Sequence, residues 1–127
     1  ILAIQCGVPP STAKARAARL DAALIARVTD YIEEHLADSI TLDALASVAC
    51  LSPYHFARSF KRSTGLAPHQ YVLARRIDWA KRQIMSTRSS IQDIALSVGF
   101  ENLSHFRRCF SAHLGVLPGR LRQGTER

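Results

Sequence analysis

Apolar residues recur at three-to-four spacing through most of the chain, and no stretch sustains the period-two alternation of a half-buried strand. From Asp21, a stripe of Leu24, Ile25, Val28, Ile32 and Leu36 predicts one helix, ended by Asp38 and Ser39. Thr41 is placed to cap a second, which carries Leu42, Leu45, Ala46 and Ala49. Ser52-Pro53 pairs an N-cap with a first-turn proline and opens a third helix through Phe56 and Phe60, stopped at Gly65. Pro68 opens a long helix to about Met85, with Tyr71, Ile77, Ala80 and Ile84 facing inward; at that length it spans roughly 27 Å. Ser90 caps a segment of Ile91, Ile94, Ala95 and Val98 that Gly99 breaks. Glu101 or Asn102 then starts a helix through Phe106 and Phe110 to Leu114, ended by Gly115, and Pro118 opens a short last turn carrying Leu121.

The first residues read differently. Gly7-Val8-Pro9-Pro10 can continue neither a helix nor a central strand, so residues 1–20 are expected to be a linker or the tail of an upstream domain. The Ala/Arg-rich stretch from Ser11 to about Arg19 has helical composition but no start signal. The chain does not begin with Met, and an upstream part is expected.

Composition narrows the function classes. Hydrophobic residues make up 47% of the 127 residues, enough for a core without metal or disulfide staples. Of 17 basic residues 14 are Arg, and their distribution is uneven: residues 1–52 carry a net charge of −2 and residues 53–127 carry +9. A basic excess on one half of a small domain points to an anionic partner, nucleic acid before membrane surface. No apolar run approaches the roughly 18 residues of a membrane span. Cys6, Cys50 and Cys109 form neither a paired framework nor a C-x-x-C motif, which fits a reducing, cytoplasmic setting.

Laid against itself, the sequence repeats. Phe56, Phe60, Gly65 and Pro68 recur fifty residues later as Phe106, Phe110, Gly115 and Pro118. At a shift of forty-nine, Leu42-x-x-Leu45-Ala46 matches Ile91-x-x-Ile94-Ala95, and Cys50 matches Gly99. The one-residue difference falls in the turn. Each unit has the parts of a helix-turn-helix: a small residue where two helices touch (Ala46, Ala95), a turn residue that is small or tolerates unusual φ four positions on (Cys50, Gly99), and an aromatic anchor for the second helix (Phe56, Phe106).

The chain resembles the AraC/XylS family of transcription regulators over roughly residues 22–123. The motifs that carry the resemblance are Gly99-Phe100-Glu101-Asn102, then Ser104-His105-Phe106-x-Arg108-x-Phe110, then Gly115-x-x-Pro118, with the first unit running from Ala46 to Gly65. The resemblance implies an all-α fold of about seven helices. In it, residues 21–127 are a tandem helix-turn-helix domain, with units of about 22–66 and 86–123 joined by a linker helix of about 68–85. It implies sequence-specific binding to double-stranded DNA in two successive major-groove segments, which suits a linker length close to one duplex turn of roughly 34 Å. It further implies a non-enzymatic, cofactor-free part of a larger regulator, with RNA polymerase and a ligand-sensing upstream domain as further partners and no membrane.

Base contacts carry over from the family to Tyr54, Ala57 and Arg58 on the first recognition helix. On the second they carry over to Ser104, His105 and Arg108, flanked by Leu103 and Arg107. His55 is a further candidate, and Lys61 and Arg62 lie toward phosphates. Arg58 is the strongest base reader, because a guanidinium pairs bidentately with guanine O6 and N7. The N-termini at Thr41 and Ser90 are candidate phosphate donors. Two departures stand out: Ser111 and Ala112 follow Phe110 where the family commonly has basic residues, and Leu117 and Leu121 replace a serine and an aromatic. Fewer phosphate contacts are therefore expected from the second unit.

Rival readings are weaker. Cys109 and His113 have the four-residue spacing of a metal pair, but no second pair completes a site. No nucleophile elbow or Gly-rich phosphate loop occurs. Two other functions are open: a DNA-repair protein that carries this domain type, and a helical module whose basic face binds an acidic protein. Trp79 sits off the inward face of its helix. Partial burial against a neighbouring helix is the favoured reading over a surface for another domain or polymerase.

Overall fold

Side-chain caps divide the chain into helices where the sequence placed them. The computed structural model describes residues 20–125, so the readings for residues 1–19 lie outside the described residues. The helices are α1 (Ala22–Glu34), α2 (Leu42–Ala49), α3 (Pro53–Thr64), α4 (Pro68–Ser86), α5 (Ile91–Ser97), α6 (Leu103–Leu114) and α7 (Pro118–Thr125), with no strand among the described residues. Asp21, Thr41, Ser52, Ser90 and Asn102 each accept the backbone N–H three residues on, satisfying a donor that has no partner within its helix. Of the two candidate starts for α6, Asn102 is the cap.

The chain folds into two units. Among the described residues, one takes residues 20–35 and 40–71; the other takes residues 36–39 and 72–125. In the first, α1 packs on α2 and α2 on α3. Its fully buried side chains include Val28, Ile32, Leu45, Phe56 and Phe60, and the edge of Tyr71 meets the Phe60 ring at 5.3 Å. In the second, α5 packs on α6 and α6 on α7, around Ile77, Ala80, Ile84, Ile94, Ala95, Val98, Phe100, Phe106 and Phe110. Trp79 is half-buried against this cluster, as the favoured reading had it.

The two turns are built alike. After α2, the Leu51 N–H donates to Ala46 O (3.0 Å) and the Cys50 N–H to Ser47 O (3.1 Å). After α5, the Phe100 N–H donates to Ala95 O (3.0 Å) and the Gly99 N–H to Leu96 O (3.1 Å). This is a Schellman closure, which needs a left-handed residue just past the helix. Cys50 fills that place at φ 59° and is the one non-glycine residue with positive φ among the described residues, at a cost of about 1 kcal/mol. Gly99 fills it at φ 100° and has a second reason to be glycine: a Cβ there would lie 2.5 Å from Leu36 O and 2.9 Å from Arg76 Nε.

Arg76 explains a difference at the end of α1. The helix was expected to run to Asp38, yet it stops at Glu34 with His35 as its C-cap. Arg76 donates from Nε to Leu36 O (2.9 Å) and from Nη2 to Asp38 O (2.7 Å), so an arginine distant in sequence takes the carbonyls of this loop. Burial lowers the pKa of its guanidinium from the usual arginine value. Arg122 does similar work at the end of α4, donating to Ile84 O, Thr87 O and Ser89 O. That anchoring accompanies an α7 of eight residues, longer than the short turn expected.

Candidate nucleic-acid interface

On α3 the apolar positions fix which side of the helix remains available. Phe56 and Phe60 are fully buried, with ring centroids 5.4 Å apart. Tyr54, Arg58, Lys61 and Arg62 are exposed, while His55 and Ala57 are half-buried. Tyr54 is 64% exposed, unusual for an aromatic side chain with no core role. Its hydroxyl accepts a hydrogen bond from Arg58 Nη1 at 2.6 Å, and the guanidinium carbon lies 5.4 Å from the ring centroid. His55 is held at the helix start: its Nδ1 is 3.0 Å from the Oγ of Ser52, which also accepts the His55 backbone N–H. Lys61 and Arg62 occupy the last turn, where positive charge also favours the helix dipole.

On α6 the same face is built from different parts. Phe106 and Phe110 are fully buried and 5.4 Å apart, matching the Phe56–Phe60 pair. Ser104, Arg107 and Arg108 are exposed. Leu103 is half-buried and packs against the core of its unit, and His105 is half-buried with its ring 5.3 Å from Phe100. The side chains of Arg107 and Arg108 make no hydrogen bond or ion pair among the described residues. Ser104 stands fifty residues after Tyr54, and its side chain is too short to reach Arg108 as Tyr54 reaches Arg58. The sequence reading took Tyr54 and Arg58 as separate contacts. Their i, i+4 spacing was the available signal that they meet.

The remaining candidates separate clearly. The helix starts at Thr41 and Ser90 each carry an acidic residue in the first turn, Asp43 and Asp93, which opposes a phosphate there. His113 Nδ1 lies 3.0 Å from the backbone carbonyl of Cys109, and no group of three metal-ligating side chains occurs among the described residues. Burial pushes the Cys109 thiol pKa up, against the pull of Arg108, which disfavours a reactive thiolate. Among the described residues no helix is long and apolar enough to cross a membrane.

Comparison with known proteins gives a consistent result. Residues 45–124 match the family model described as a helix-turn-helix domain. The chain is 35% identical over 96 residues to the bifunctional transcriptional activator/DNA repair enzyme AdaA of Bacillus subtilis, covering 76% of this chain and 46% of that protein. It is 32% identical over 96 residues to the HTH-type transcriptional activator RhaS of Escherichia coli, covering 76% of this chain and 34% of that protein. The chain thus spans less than half the length of these relatives. Among solved structures, the DNA-binding domain of AdpA, a global transcriptional factor crystallised with a target DNA, matches with a TM-score of 0.74 at 30% identity. That match covers 78% of this chain and 89% of the other. The paired Phe anchors, the twin Schellman turns and these likenesses together assign the chain to the AraC family of helix-turn-helix domains.

Proposed function

We propose that this chain binds double-stranded DNA in a sequence-specific manner, with α3 and α6 as its two recognition helices, and thereby regulates transcription. The observation that carries the reading is the same division on both helices: a buried Phe pair on one side, and on the other an exposed arginine, Arg58 or Arg108. Arg58 and Arg108 read bases, each suited to bidentate pairing with guanine. Tyr54, His55, Ala57, Leu103, Ser104 and His105 complete the two base-facing surfaces, and Lys61, Arg62 and Arg107 contact phosphates. Coverage of less than half of AdaA and RhaS supports a larger regulator, of which this is the DNA-binding part. In that regulator residues 1–20 are linker, residues 21–127 are the tandem domain, and the upstream part senses a ligand. The regulator acts in the cytoplasm on RNA polymerase, and no catalytic step is assigned to this chain.

Selection from a randomised duplex library, followed by titration of the winner against scrambled DNA over a salt series, tests the reading. The expected result is a selected site with two separate patches, one for each helix. Uniform binding that falls steeply with salt would reduce the function to phosphate attraction. Absence of duplex binding at low salt would overturn the reading, in favour of a basic module for an acidic protein.

A further inference from the structure

Among the described residues Tyr54 is the most exposed of the large apolar side chains, yet it is engaged. Its hydroxyl oxygen is 2.6 Å from Arg58 Nη1, and its ring lies beneath the guanidinium at 5.4 Å. One turn of helix separates the two residues, so the contact arises within α3 and requires nothing from elsewhere in the fold. The tyrosine is itself flanked: the His55 ring meets it edge-on at 5.7 Å, and His55 is tied to the N-cap Ser52. A line of contacts therefore runs from the cap through His55 and Tyr54 to Arg58.

An arginine side chain has many rotamers, and fixing it on a base costs conformational entropy. The bond to Tyr54 uses one of five N–H donors and leaves four for a ligand. Because the hydroxyl oxygen accepts from Arg58, its own proton is free to point outward. The pair thus offers chiefly donors outward, the pattern that fits guanine, whose major-groove edge presents two acceptors, N7 and O6. We infer that Tyr54 is a positioning residue: it pre-sets the Arg58 guanidinium for a guanine, acting through the arginine rather than on the base itself. This rests on the DNA-binding reading above and assigns Tyr54 a different part in it from a direct base contact.

The test uses the full chain, the selected site and versions altered at the one base whose preference Arg58→Ala abolishes. Binding is measured for the wild type, Tyr54→Phe, Arg58→Ala and the double variant. Tyr54→Phe keeps the ring and removes only the hydroxyl. It is expected to weaken binding to the guanine site by about three- to tenfold, with little effect on the altered sites or the salt slope. In the Arg58→Ala background the same change should have no further effect. An equal loss in both backgrounds would mean that Tyr54 touches DNA on its own account, and no loss in either would mean that the contact is idle; both overturn the inference and leave the DNA-binding reading intact. If the wild type shows no preference among duplexes, the reading itself fails and this inference with it.

Discussion

Arg58 and Arg108 occupy equivalent places fifty residues apart, at the same distance before a buried phenylalanine, yet they are held differently. Arg58 donates to the Tyr54 hydroxyl, whereas Arg108 has Ser104 one turn behind it and no hydrogen-bond partner among the described residues. The turns show the opposite bias. The first closes on a cysteine in a left-handed conformation, and the second on a glycine whose missing Cβ makes room for Arg76. The two units share what the packing requires, a Phe pair and a Schellman closure. What the solvent-facing positions carry differs between them. A repeat in sequence therefore predicts shared architecture more securely than shared recognition.

The largest expected effect tests the turns. Gly99→Ala should destabilise the second unit by about 2–4 kcal/mol, since a left-handed alanine costs about 1–2 kcal/mol and the clash with Leu36 O adds overpacking. Gly115→Ala, at φ 74° with nothing within 4 Å of the new Cβ, should cost only the backbone part. Urea unfolding of both variants checks this, and equal losses would show that crowding at Gly99 contributes nothing. Next come the reading residues. Arg58→Ala and Arg108→Ala should each weaken binding to the selected site by about 1–3 kcal/mol and relax base preference at a different patch. If both relax the same patch, the two-helix reading fails.

A smaller effect concerns phosphates. Removing Lys61 or Arg62 should lower the slope of log affinity against log salt by about one each. Ser111 and Ala112, which stand after Phe110 where Lys61 and Arg62 follow Phe60, should leave it unchanged when substituted by other neutral residues. The smallest effect probes the asymmetry directly. Ser104→Tyr would give Arg108 the kind of partner that Arg58 has, and is expected to raise affinity at the second patch by about two- to threefold, the low end of what fixing one side chain costs. No gain would indicate that restraint of the arginine matters only in the first helix.

Helix starts and the core were legible because their causes are local. Thr41, Ser52 and Ser90 cap the helices they were expected to cap, and the anchors Phe56, Phe60, Phe106 and Phe110 are buried together with Ile77, Ala80 and Ile84 of the long helix, while Tyr71, also expected to face inward, is half-buried. Features that depend on partners distant in sequence were not. The early end of α1 coincides with Arg76 reaching loop carbonyls about forty residues back. The Tyr54–Arg58 bond lies between these cases, since its i, i+4 spacing is visible in the sequence but the rotamers that bring the two side chains together are not.

The assignment of residues 36–39 to the second unit has a practical consequence. The boundary between the sequence repeats, near Gly65 to Pro68, is not a place where the molecule can be divided. A fragment beginning at Pro68 would keep Arg76 but lose the Leu36 and Asp38 carbonyls that receive its guanidinium, leaving a half-buried cation without acceptors. The second repeat is thus not a module that can be cut free at this boundary, and it is better silenced by substitution in place than by excision.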